Sequence, residues 1–204
     1  MVRLSPKFAL IAVGIFGLAF GASAQTVRHT AGAKKNQDGG VTAARGTVVK
    51  GENGGTAAHG AAAATNGQGG AIREHGTVVK GPNGGVAARG GYTAKDGQGN
   101  VQHGSGGAFK GPNGAQGYRK GQTNVSADGS ASHTGSSAVS GKNGSITNSN
   151  SITKSSNGQV NGQSNTTLTG KNGNSETLTK TDTNGQITKS KTCKDSSGNI
   201  VACP

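Results

Sequence analysis

The sequence predicts an all-β repeat without a globular core: a β-hairpin meander or a β-solenoid, built of double units of about 30 residues. Three observations predict it. Val79-Lys80-Gly81-Pro82-Asn83-Gly84 recurs as Val49-Lys50-Gly51-Glu52-Asn53-Gly54 and as Phe109-Lys110-Gly111-Pro112-Asn113-Gly114. Altered copies end in Asn143-Gly144 and Asn172-Gly173, so the asparagines stand 30, 30, 30 and 29 residues apart. After residue 24, only 20 of 180 residues are Leu, Ile, Val or Phe. That share is well under the roughly 20% below which charged chains lack a core, and it cannot offset backbone ordering of roughly 1–2 kcal/mol per residue. The runs between turns show no helical period. Asn-Gly or Asp-Gly, the strongest short-range hairpin signal, closes each one.

Residues 1–24 read as a secretory signal peptide. Arg3 and Lys7 give the positive start, Phe8 to Phe20 an apolar stretch of 13 residues, and Ala22-Ser23-Ala24 the cleavage site. That stretch is short of the ~20 residues that span a bilayer, and no comparable apolar stretch follows. The chain is therefore expected outside the cell or on its outer surface, with the periplasm as alternative, and without a transmembrane segment after cleavage.

Residues 25–120 form an Ala- and Gly-rich basic section. Runs such as Val41–Val49 and 85–93 read as strands of about 10–12 residues. A second turn series runs Asp38-Gly39, Asn66-Gly67, Asp96-Gly97, Asp128-Gly129, Asn157-Gly158 and Asn184-Gly185, splitting each unit into halves of about 15 residues. A type I′ turn, with φ > 0 at both central residues, is the expected geometry. Pro82 and Pro112 are expected just ahead of their turns, where a missing N–H matters least. Residues 121–192 continue the array with Ser, Thr and Asn, and alternation sets Ile146 and Ile152 on one face. In residues 193–204, Cys193 and Cys203 flank a Ser-Gly-Asn turn and are expected to close a final hairpin as a disulfide, an intermolecular link being the alternative.

The side-chain pattern that stands out is basic. Arg45, His59, His75, Arg89, His103, Arg119 and His133 recur every 14 to 16 residues, one per half-unit. Net charge is +13, and +11 once Arg3 and Lys7 leave with the signal. Two readings stand. The row is a polyanion-binding stripe for anionic polysaccharide, lipopolysaccharide or extracellular DNA, strengthening as histidines protonate. Alternatively, it is a solvated charged face that deters aggregation. Whether the seven share a face depends on a register that two-sided polar strands specify weakly. No phosphate-binding loop, nucleophile elbow or zinc-site spacing occurs, and with 8 acidic residues there is no paired acid/base site. No enzyme activity, cofactor or metal site is expected. Aromatics are too few for sequence-specific nucleic-acid recognition.

The turns Gly51-Glu52-Asn53-Gly54-Gly55 and Gly81-Pro82-Asn83-Gly84-Gly85 resemble those of exported Gly/Asn-rich β-repeat proteins of Gram-negative bacteria. The architecture is loosely similar to curlin-like functional amyloids. The curlin unit is shorter and carries regularly placed Gln and Asn within its strands, so the resemblance implies class and compartment and no residue roles. The functional expectation is an exported, non-enzymatic, structural or adhesive protein that assembles with copies of itself. The alternatives are a polyanion-binding module and a disordered Gly-rich secreted chain.

Overall fold

The computed structural model describes residues 26–203; the expected signal peptide lies outside them. The strands are β1 Thr26–Lys35, β2 Val41–Lys50, β3 Thr56–Thr65, β4 Ala71–Lys80, β5 Val86–Lys95, β6 Val101–Lys110 and β7 Gln116–Val125. There follow β8 Ala131–Gly141, β9 Gly144–Lys154, β10 Val160–Gly170, β11 Ser175–Thr183, β12 Gln186–Lys194 and the two-residue β13 Ile200–Val201. They form one open antiparallel sheet in chain order. Of the two connections open to the sequence, the strands take the meander. The composition boundary near residue 120 falls inside β7, so the sheet runs unbroken through it.

No second layer covers either face. The only apolar residues buried among those described are Ala62, Ala64, Ala94 and Cys193. Order comes from the backbone ladder, and each strand pair adds cross-strand contacts of about 0.2–1 kcal/mol apiece. Thr, Val, Ser and Ala fit the pleat, and glycines in mid-strand leave little side chain to pack.

The turns differ from the type I′ expectation. Ten of the twelve connections have five residues, the first N–H donating to the fifth carbonyl, as in Gly51 to Gly55 at 2.8 Å and Gly81 to Gly85 at 2.7 Å. In nine of these the fourth N–H also donates back to the first carbonyl, as Gly54 does to Gly51 at 3.1 Å. Gly54, Gly84, Gly114 and Gly173 have φ of 79°, 82°, 80° and 84°, whereas Asn53, Asn83, Asn113 and Asn172 stay at negative φ. This is the three-residue hairpin loop, a type I turn followed by one left-handed glycine. Only Asn184 and Gly185, at φ 52° and 87°, both take the left-handed region. Asn143 precedes Gly144 (φ 128°) in a tight loop closed by the Gly141–Gly144 pair. Pro82 and Pro112 sit within their turns, at the first central position, where a fixed φ near −65° is what a type I turn requires.

Loops at each end stack on those two strands away. A Cβ on Gly85 would lie 3.3 Å from Cδ of Pro112, and the Ala127 N–H donates to Oδ1 of Asn100 at 2.9 Å. All copies of the opening motif therefore line one end of the sheet, and the second turn series lines the other. Cys193 and Cys203 form a disulfide that folds β13 onto the end of β12.

Candidate functional site

Residues paired across antiparallel strands point to the same face, and neighbours along a strand to opposite faces. The continuous register therefore assigns every strand position to a face. One row reads His29, Thr47, His59, Thr77, Arg89, Gly107, Arg119 across β1 to β7. Two residues further along, on the same face, lies Ala31, Arg45, Ala61, His75, Gly91, Ser105, Gly121. Two further again lies Arg73, Thr93, His103, Thr123, His133 across β4 to β8. The seven basic residues singled out from the sequence thus lie on one face, divided among three adjacent rows. His29 and Arg73 join them; the half-unit spacing missed both because each sits out of phase with it.

This histidine face holds all five histidines and four of the five arginines that follow residue 24. Strands β1 to β8 contain one acid, Glu74, and its pairing with Tyr92 puts it on the opposite face. None of Arg45, Arg73, Arg89 and Arg119 forms an ion pair among the described residues. The Lys191–Glu176 pair at 3.3 Å lies between β11 and β12.

Four imidazoles are held by a threonine across the hairpin. Nδ1 of His29, His59, His103 and His133 lies 2.9, 3.0, 3.0 and 2.8 Å from Oγ1 of Thr47, Thr77, Thr93 and Thr123. A hydroxyl both donates and accepts, so it can hold a neutral or a protonated ring, and Nε2 stays available. His75 faces Ala61 and Gly91 and has no such partner.

Beside the first row runs an apolar one that includes Val27, Val79, Phe109, Val139, Ile146 and Leu168, each 42–51% exposed. The opposite face has glycines in mid-strand: Gly46, Gly60, Gly76, Gly90 and Gly106 are successive partners. A depression of about 730 Å³ is lined by Gly90, Tyr92, Gly104 and Lys120 on that face, with the Tyr92 ring lying over Gly104. Towards β12 the glycine face turns to hydroxyls and amides, as in Thr167–Thr177 at 2.9 Å and Thr179 donating to Asn165 at 2.8 Å.

Acidic side chains order loops. The Asp96 carboxylate accepts from the side chain of Asn100 and the N–H groups of Asn100 and Gln98, bonds that hold it below the ordinary aspartate range. Asp195 is held down in the same way by the side chain and N–H of Asn199, and Asp128 by Ser130. Among the described residues no group of three or more His, Cys, Asp or Glu could hold a metal ion, and no helix is long and apolar enough to cross a membrane. No protein-family model, curated protein or solved structure matches the chain.

Proposed function

We propose that the protein is an exported structural or adhesive component of the cell surface or extracellular matrix, working as a sheet that joins copies of itself. One observation carries this reading: a thirteen-stranded sheet with neither face covered and one full-length edge open. All ten residues of β1 are exposed, and its outward N–H and C=O groups are a template for another strand. The apolar row offers a second contact, because a stripe of half-exposed Val, Ile, Leu and Phe gains by meeting its like. The disulfide fits an oxidising compartment outside the cytoplasm. No constellation of catalytic type competes with this reading.

Adjacent residues of an edge strand alternate in which way their N–H points, so Thr30→Pro and Ala31→Pro separate the edge from the fold. One of the two removes an outward donor. That variant should keep the β signature in circular dichroism and lose growth by light scattering, while the other loosens β1 from β2. A mature chain that stays monomeric at high concentration near neutral pH would contradict the reading, as would growth indifferent to both prolines.

A further inference from the structure

We propose that the histidine face of β1 to β8 is the docking surface for a linear acidic polysaccharide, and that acidification strengthens its grip. This deepens the adhesive reading above and rests on it for the biological setting; binding and self-association are read by separate measurements.

Charge complementarity identifies the ligand class. Arg45, Arg73, Arg89 and Arg119 stand on this face without ion pairs, and no carboxylate of β1 to β8 shares it. Unpaired guanidiniums are the groups that bind carboxylate or sulfate through paired N–H donors. Basic side chains also occur on the glycine face, but Lys50, Lys80 and Lys110 all lie in its outermost row, beside the turns. On the histidine face the cations occupy the middle.

Shape narrows the class. Between the rim with Arg89 and Arg119 and the rim with His103 and His133, the floor is Gly91, Ser105, Gly121 and Gly135. The rims are four residues apart along the strand, about 13 Å at ~3.4 Å per residue. Towards β1 the floor continues as alanine, in an open depression of about 570 Å³ that Arg45 and Arg73 border. A thin extended polymer crossing the strands lies along this trough and meets a new strand every ~4.8 Å. A nucleic-acid duplex is wider than the trough and bridges its rims. Single strands lack stacking partners, because Phe109 is the one aromatic residue of β1 to β8 on this face and it sits in the apolar row.

The pH dependence follows from the placement of the imidazoles. Histidine changes charge between about pH 5 and 8. Of the charged groups on this face from neighbouring strands, Arg45 lies near His29 and His59, and Arg89 near His75. His59 and His75 neighbour each other, Lys95 lies near His103, and Lys154 near His133. On its own strand His75 has Arg73 two residues away. All are cations, so no carboxylate offsets the charge that protonation adds. Acidification makes this face more positive and leaves the other face unchanged.

The test uses the full mature chain and dextran sulfate, whose charge is constant from pH 5 to pH 8, with duplex DNA as competitor. Binding is measured against salt, and light scattering on the same samples reports self-association. Arg89→Gln with Arg119→Gln should lower affinity and reduce the slope of log affinity against log salt by about one per arginine. Lys80→Gln with Lys110→Gln removes equal charge from the other face and should change affinity less than about twofold. Affinity should rise from pH 8 to pH 5, and His103→Gln with His133→Gln should flatten that rise. Equal losses from the two faces, an absent pH effect, or tighter binding of duplex DNA than of dextran sulfate would each overturn the proposal. Binding without self-association would refute the assembly reading alone.

Discussion

Each chain reversal of the common loop rests on one left-handed glycine, which makes the turns sensitive to a methyl group that the strands tolerate. At Gly114 an added Cβ meets nothing within 4 Å, yet φ is 80°, so Gly114→Ala strains the backbone alone and should cost about 1–2 kcal/mol. At Gly76 the added carbon would lie 3.8 Å from the nearest neighbour, an ordinary contact, at a φ that alanine accepts. Gly76→Ala should therefore stabilise the sheet by roughly 0.5–1 kcal/mol. Urea denaturation of the two variants checks both signs. Asp96 and Asp195 make a pH prediction, since loop hydrogen bonds hold both carboxyls below their ordinary range. Their folded forms favour the charged state, so this stabilisation is complete above the unfolded-state value near pH 4 and is lost as pH falls through the lower folded one. Thermal midpoints should drop between pH 5 and pH 2. Asp96→Asn should lessen the drop and keep the loop, because Asn66 already fills the equivalent place with its Oδ1 accepting from Gln68 and Gly70.

At the scale of the element, strands and reversals were legible because Gly after Asn or Asp punctuates the chain every 15 residues or so. Turn type was not, because Asn-Gly serves two geometries: both residues left-handed, as at Asn184-Gly185, or glycine alone after a type I turn, as at Asn83-Gly84. Pro82 was the available signal. At the first central position it enforces the negative φ that a type I′ turn forbids there. Register was hidden for a different reason: strands with no buried face have no apolar pattern to fix it. The recurring five-residue loop supplies what burial does not, by tying its first N–H to its fifth carbonyl. The final element depends on a covalent link, since β13 pairs with β12 through only Cys193–Val201 and Lys194–Ile200. A disulfide closing so short a loop contributes on the order of 2–3 kcal/mol. Reduction should release β13 and speed amide exchange at Thr192 to Lys194, leaving exchange in β1 to β10 unchanged. Uniform acceleration along the chain would show that the link stabilises the whole sheet.

For the whole molecule, composition already excluded a conventional core, and the structure agrees: four small residues are the buried apolar set among those described. Spacing also found most of the basic side chains. It could not show that Arg45, His75 and Arg89 share a face while Glu74, beside His75 in the chain, is on the other, because that separation exists only once the strands are paired. A sheet so built is held by contacts between neighbouring strands, so its stability resembles a sum over interfaces. The central claim is that this chain orders as a single uncovered layer. Solution X-ray scattering of the mature protein tests it most directly, because edge-joined copies keep the thickness of one sheet. For the monomer, thirteen strands at ~4.8 Å, each about 34 Å long, in a layer about 10 Å thick give a radius of gyration near 20 Å. A plate of that thickness and size is the predicted result. A radius of about 16 Å with no flat cross-section, the value for a compact globule of this length, or about 45 Å, the value for an unfolded chain, would contradict it.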